Sequence, residues 1–321
     1  MTSRAPALVL VADDLTGACD AAGVVATRGE AARVDLRWSG APPRGVLAVD
    51  LDSRAGDDER AAARTARVTH DALAAGAVVY VKIDSTLRGH VRTTVEAATR
   101  AFLATHPSGR VVVCPAFPAR GRTVVGGRLH VEGAPRDSSV LAELGEISGV
   151  EIADASTDDD LAALVAERAG RPVLWVGSAG MAAHVAGAAV DEVARAMPQV
   201  RSVAVVVGTE HAATIAAGRD LRRRGDPRIE VVDGDPRVRA MIDRAETAGA
   251  RHAGLVVTGG FTARRLLDRL GITALRVGGE VEAGIPWSTT LDGSRVLVTK
   301  AGGFGDRGTL GRAVDRLLGA P

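Results

Sequence analysis

The chain has 321 residues, enough for two domains at roughly 150 residues each. Its 46% hydrophobic and 25% charged residues describe an ordinary globular protein, and a net charge of +1 argues against coating nucleic acid or binding a membrane through a polybasic face. No apolar run approaches transmembrane length, Met1–Pro6 lacks signal-peptide architecture, and two cysteines (Cys19 and Cys114) make no disulfide framework, so a cytoplasmic protein is expected.

Short apolar, β-branched runs recur along the chain: Leu8–Ala12, Val46–Val49, Val78–Val81, Val111–Cys114, Val173–Val176, Val203–Val207, Leu255–Val257 and Val296–Val298. They are continuous rather than alternating, as in strands buried on both faces. Stretches with helical spacing follow several of them, among them Asp58–Ala75, Thr93–Thr105, Asp160–Ala169 and Thr262–Leu270. Strand, loop, helix, strand predicts an α/β fold of mainly parallel sheets with right-handed crossovers. A further helical stretch, Met181–Ala196, ends at Met197-Pro198, which divides the chain into domains 1–198 and 199–321.

In such folds ligands bind beyond the carboxyl ends of the strands. The first half is rich there: Asp13, Asp14, Cys19 and Asp20 after the first strand, Asp50-Leu51-Asp52-Ser53-Arg54 after the second, Lys82-Ile83-Asp84-Ser85-Thr86-Leu87-Arg88-Gly89 after the third, Arg120-Gly121-Arg122 after the fourth, and Gly177-Ser178-Ala179-Gly180 after the fifth. Any one of these could be a helix cap or a solvated surface charge. Together they describe a pocket for a small polyhydroxylated anion, with Arg and Lys for its negative charge and Asp for its hydroxyls. The second half instead carries glycine-rich strand ends: Gly208-Thr209, Thr258-Gly259-Gly260 and Lys300-Ala301-Gly302-Gly303-Phe304-Gly305. Glycine lets backbone N–H groups approach phosphates, and a following helix N-terminus favours them further. None of these loops is a Walker A sequence or a dinucleotide fingerprint, which disfavours a dehydrogenase. The His residues are scattered without metal-ligand spacing, so no protein metal site is expected. Base composition accounts for the many arginines, yet the only two lysines, Lys82 and Lys300, both fall in these loops.

Seven blocks carry a resemblance: Ala-Asp-Asp-Leu-Thr-Gly-Ala-Cys-Asp (12–20), Asp-Ser-Arg (52–54), Lys-Ile-Asp-Ser-Thr-Leu-Arg-Gly (82–89), Pro-Ala-Phe-Pro with Gly-Arg-Thr (115–123), Gly-Ser-Ala-Gly (177–180), Thr-Gly-Gly (258–260) and Lys-Ala-Gly-Gly-Phe-Gly (300–305). In this order they resemble the four-carbon acid sugar kinases. The resemblance implies a sugar-acid-binding domain, a nucleotide-binding domain and an active site in the cleft between them. It also implies transfer of the ATP γ-phosphate, with Mg²⁺, to the C4 hydroxyl of a threonate-, erythronate- or 3-oxo-tetronate-class acid.

On that reading Asp14, Lys82 and Arg88 are catalytic, with Asp14 the base and Asp306 a second candidate. Asp13, Asp14, Arg54, Lys82, Asp84, Ser85 and Arg122 bind substrate. Thr209, Gly259, Gly260, Phe261, Thr262, Gly302, Gly303 and Gly305 bind the nucleotide. The chain departs from the family pattern in three places: a short segment after Gly133, Thr209 and His211 in place of two serines, and Phe261 where an acid is usual. Those departures motivate an alternative, a weakened relative that senses a sugar acid or nucleotide. The expected partners are small molecules, without nucleic acid or membrane, and a homodimer is carried as an expectation.

Overall fold

The computed structural model describes residues 7–40, 42, 45–187 and 195–319. The first half runs β1 (Leu8–Ala12), α1 (Leu15–Thr27), β2 (Ala32–Asp35), β3 (Val46–Asp50), α2 (Asp58–Ala74), β4 (Val78–Lys82), α3 (Val91–Thr105) and β5 (Arg110–Cys114). It continues with β6 (Arg122–Val125), β7 (Arg128–Val131), β8 (Ala134–Pro135), α4 (Val140–Leu144), β9 (Val150–Ile152), α5 (Asp158–Ala166), β10 (Val173–Gly177) and α6 (Ala179–Val185). The second half has β11 (Val203–Val207), α7 (Ala212–Arg224), β12 (Ile229–Asp233), α8 (Arg239–Arg251), β13 (Gly254–Thr258) and α9 (Gly260–Arg269). It closes with β14 (Ala274–Glu282), β15 (Ile285–Thr290), β16 (Val296–Lys300) and α10 (Thr309–Leu318).

Every predicted strand is present, and apart from the half-buried Val78 the apolar runs are buried along their lengths as continuous hydrophobicity requires. Each fully buried Val or Leu contributes about 1.5–3 kcal/mol. The helix expected over 181–196 begins at Ala179 and is helical to Val185; its residues 188–194, like Met1–Pro6, lie outside the described residues.

Thirteen strands form one sheet, in the order β12-β11-β13-β16-β15-β14-β2-β3-β1-β4-β10-β5-β9. Two parallel sets are joined through β14 and β15, which pair antiparallel with each other and with their neighbours β2 and β16. Three antiparallel junctions would point the carboxyl ends of the two sets in opposite directions on a flat sheet. Sheets twist by roughly 20–25° per strand, so the six steps from β1 to β13 rotate the strands by roughly 120–150° and turn both sets of ends toward one cleft.

Helix α1 fills the inside of that turn. Its sequence, Leu-Thr-Gly-Ala-Cys-Asp-Ala-Ala-Gly, is almost all small and buried, and it packs on β3 and α6 of one half and on β14, β15 and α9 of the other. A Cβ at Gly23 would stand 2.8 Å from Pro286 Cβ, so only glycine allows β15 this close. The segment after β5 folds into a separate antiparallel sheet, β6-β7-β8, and the short stretch 134–141 supplies β8 and the start of α4.

Candidate active site

Strands β1, β3 and β4 are neighbours in register, with Ala12 opposite both Asp50 and Lys82. The loops that follow therefore leave the sheet side by side. Backbone hydrogen bonds stitch them: Leu51 N–H donates to Ala12 O at 2.8 Å, and Ser53 N–H to Asp13 O at 2.9 Å. Asp52 (φ 46°) and Leu87 (φ 63°) adopt the left-handed region, sparsely populated by non-glycine residues, in two of these loops.

The loops bring five of the sequence-predicted residues into one network. Arg54 presents Nε and Nη2 to the two oxygens of Asp13, each at 2.7 Å, and Nη1 to Asp14 Oδ2 at 2.9 Å. The same Nη1 lies 3.6 Å from Asp84 Oδ2. Burial works against the Arg54 charge, but the carboxylates of Asp14 and Asp13 outweigh it and raise its pKa. Burial likewise opposes ionisation of Asp84, and hydrogen bonding from Arg88 with the charge of Arg54 still carries it well below the ordinary value. Arg88 grips Asp84 through Nη2 at 2.6 Å. Asp14 also caps α1, accepting from Gly17 N–H at 2.7 Å and from Thr16 Oγ1 at 2.8 Å. Ser85 is buried beside Asp84.

Lys82 is only 3% exposed. Its Nζ donates to Ile83 O at 3.0 Å and lies 4.0 Å from Asp20 Oδ2, in an ammonium that carries three N–H donors. Asp20 Oδ1 is buried without a hydrogen-bond partner, and burial pushes this carboxyl up to about 6.

The glycine-rich loops of the second half converge on one another. Thr262 Oγ1 donates to Gly208 O at 3.0 Å, and Gly259 N–H donates to Lys300 O at 2.9 Å. A Cβ at Gly302 would stand 2.5 Å from Thr209 Oγ1, and Gly305 (φ 74°) closes over Thr309. Gly259 is the N-cap of α9 without a side-chain cap, so the first-turn N–H groups of that helix are free of one. Phe261 is stacked by Arg265, whose Cζ lies 4.5 Å from the ring centroid. Lys300 is not directed at an open phosphate position. Its Nζ donates to Thr214 Oγ1 at 2.7 Å, Gly302 O at 3.1 Å and Ala301 O at 3.2 Å, bracing the loop from below. Asp306 accepts from Gly308 N–H at 2.7 Å and pairs with Arg312, a turn-capping arrangement.

The two halves meet at Asp14 and Gly260, where a Cβ would stand 2.2 Å from Asp14 Oδ2. A second strut lies behind it: Arg264 Nη1, on α9, meets Asp50 Oδ2, at the end of β3, at 2.9 Å. Burial pushes Asp50 up to about 7 despite that bond.

Arg122 stands apart from the aspartate network. It donates to Arg120 O and lies over Phe304, with Cζ 5.6 Å from the ring centroid. Sequence reading did not single out Asp20, Asp50, Arg264 or Phe304 as site residues. Asp20 stood inside the first motif and Asp50 directly closed a predicted strand, which were signals available to it. The pairing of Arg264 with Asp50 depends on the twist of the sheet and left no local trace. A cavity of about 380 Å³ lined by Val207, Thr209, Ile215, Asp233 and Asp235 opens beside Thr209. It too was hidden, because β12 was not read as a strand. Among the described residues no group of His, Cys, Asp and Glu is arranged to hold a metal ion, and no helix is long and apolar enough to cross a membrane.

Comparison with known proteins finds two family models on the chain, meeting between residues 145 and 155. A family model described as a sugar-binding N-terminal domain matches residues 8–145, and one described as a nucleotide-binding C-terminal domain matches residues 155–310. A D-threonate kinase of Cupriavidus necator is 31% identical over 95% of this chain and 96% of its own. A 3-oxo-tetronate kinase of Methylobacterium radiotolerans is 27% identical over 97% of this chain and 99% of its own. A crystal structure from Bordetella bronchiseptica, described as a domain-swapped dimer with bound citrate, is 27% identical over 98% of this chain and 99% of its own, with a TM-score of 0.50. The matched domains, the full-length kinase relatives and the seven motif blocks make this chain a member of the four-carbon acid sugar kinase family.

Proposed function

We propose that the protein transfers the γ-phosphoryl group of ATP to the C4 hydroxyl of a four-carbon sugar acid of the threonate, erythronate or 3-oxo-tetronate class. The observation that carries this reading is the contact of Asp14 with Gly260, which sets a pocket of aspartates and cations against the loop that opens α9. The named kinases among the relatives support a phosphotransferase.

In the reaction the bond from the γ-phosphorus to the β–γ bridging oxygen breaks and a bond to the C4 oxygen forms. ADP leaves, and the hydroxyl proton passes to a base. Catalysis of such transfers is mostly positioning and electrostatic stabilisation. Asp14, already oriented by Gly17, Thr16 and Arg54, accepts the proton. Asp13 and Asp84 hold substrate hydroxyls with Ser85, and Arg54 organises the three aspartates. Lys82, Arg88 and Arg122 supply positive charge to the acid and the moving group. The phosphates lie along Thr209, Gly259–Thr262 and Gly302–Gly305, with Mg²⁺ as part of the MgATP substrate. The nucleoside occupies the cavity beside Thr209, where Asp233 and Asp235 offer acceptors to ribose hydroxyls.

We take the division between the domains to fall near Pro198, because β10 pairs with β4 and β5 of the first half. A cytoplasmic homodimer fits the reading, and the dimeric, citrate-bound relative supports both a dimer and a carboxylate ligand.

The test is ATP consumption with D-threonate, D-erythronate and 3-oxo-tetronate acids as acceptors. ADP formation is expected with at least one, abolished in Lys82→Ala while calorimetric ATP binding persists. Undiminished turnover in Lys82→Ala sinks the assignment. A sensor is the second reading, motivated by Phe261 lying under Arg265 where the family carries an acid. Absence of binding at millimolar ATP would favour it.

A further inference from the structure

Two arginines outside the aspartate network share one aromatic ring. Arg120 ends the tight turn after β5, and its Cζ lies 4.5 Å from the centroid of Phe304, over which Arg122 also lies. Phe304 belongs to the glycine-rich loop after β16 and packs on Gly284, where a Cβ would stand 2.8 Å from its Cδ2 and 3.4 Å from Arg120 Nε. Arg120 reaches across to the second half, donating from Nη1 to Ala283 O at 3.0 Å.

These guanidiniums are incompletely satisfied. The Nε atoms of Arg120 and Arg122 are both buried without a hydrogen-bond partner, and among the described residues neither arginine forms an ion pair. Burial, and then the charge of Arg120, pulls the Arg122 pKa down. Two crowded cations with unspent donors favour an anion that accepts from both. Their position says which anion. Arg120 is felt electrostatically by Asp20 on the sugar-acid side and by Lys300 on the nucleotide side, and Arg122 by Asp84. Lys300 is itself occupied by Thr214 and two carbonyls. The loop therefore lacks a free cation of its own at that point.

We propose that Arg120 and Arg122, stacked on Phe304, form a phosphoryl socket that holds the transferring group between nucleotide and acceptor. The socket rests on the kinase reading for its role in turnover, though not for its affinity for phosphate. A phosphoryl group in flight spreads charge over three oxygens, and paired guanidiniums match it in geometry and charge. Cation–π contact with the ring holds both guanidiniums near it and ties them to the loop proposed to carry the nucleotide.

The experiment measures binding apart from turnover. Calorimetry would follow inorganic phosphate, with and without MgADP, on the full chain and on Arg120→Ala and Arg120→Lys. Arg120→Ala is expected to weaken phosphate at least tenfold and to leave MgADP within about twofold. Arg120→Lys should recover charge but only part of the affinity, because the fork is lost. Where an acceptor is turned over, kcat should fall by about 10²-fold or more in Arg120→Ala with little change in the acceptor KM. Unchanged phosphate affinity in Arg120→Ala overturns the socket, as does an equal loss of MgADP and phosphate, which would make Arg120 a brace between the halves. If Arg120→Ala fails to fold, the lysine variant decides: phosphate bound as in the unaltered protein overturns the socket. Arg120-dependent phosphate binding without kinase activity toward any acid would retain the socket and remove the kinase reading.

Discussion

The Asp14 carboxylate lies against Gly260 so closely that a Cβ on residue 260 would be 2.2 Å from Oδ2 and 3.1 Å from Thr16 Oγ1. Asp14 ends the first loop of one half and Gly260 opens a helix of the other. This contact joins the two halves, and glycine is what permits it.

Gly260→Ala should force these loops apart. We expect a stability loss of about 1–3 kcal/mol, typical of overpacking, and a larger proportional loss of turnover. Gly303→Ala is the contrast, because the nearest atom to its new Cβ is His211 Cδ2 at 4.0 Å. It should melt like the unaltered protein while weakening ATP. Equal melting temperatures for Gly260→Ala and Gly303→Ala would contradict the crowding argument.

Arg54 compensates Asp13 and Asp14 at once. Removing one partner of a buried charge cluster costs about 3–5 kcal/mol, so Arg54→Ala should be strongly destabilised near pH 7. Burial already holds the Asp13 pKa up against the charge of Arg54, so without that charge Asp13 protonates more readily, and acidification to pH 5 should return part of the loss. Urea denaturation at both pH values checks this. A deficit that does not shrink at pH 5 would point to lost packing instead of lost charge.

Asp20 is argued to act through Lys82, 4.0 Å away, and not on the substrate. Because burial raises its pKa to about 6, the carboxylate that steadies Lys82 is lost as pH falls through 6. Turnover should therefore decline below about pH 6, and Asp20→Asn should flatten that limb at a level up to about 10²-fold lower, the cost of a misplaced group. An acid limb unchanged in Asp20→Asn would remove the positioning role.

Burial, then Arg120, pulls Lys300 down to about 8 from an ordinary value of 10.5. Between those values the unfolded chain holds more protons on this residue than the folded one, so stability rises with pH across that window. Below about pH 8 the whole penalty of the buried charge is present. At about 1.4 kcal/mol per unit the rise is about 3.5 kcal/mol at most. Lys300→Met should remove this alkaline slope, measured by denaturant titration from pH 7.5 to 10.5. Retention of the full slope would assign it to another group.

The alternation of buried strand and helix was legible because continuous Val and Leu runs can only be covered on both faces. The motif loops were legible because acids and bases do not gather by chance at successive strand ends. Strands β14 and β15 escaped notice, since Gly278, Gly279 and Pro286 interrupt any periodic signal. Yet these two strands reverse the sheet and bring the halves together.

Sequence alone determined the α/β class, the two chemical characters of the halves and the residues that carry them, because these depend on local pattern and residue type. Tertiary structure decided which charges neutralise one another. Arg54 is spent on three aspartates and Lys300 on Thr214, whereas Lys82, Arg120 and Arg122 keep donors unspent. The physical reason is that pairing depends on distances across a twisted sheet, between residues as far apart in the chain as Asp14 and Gly260. No local pattern encodes that approach.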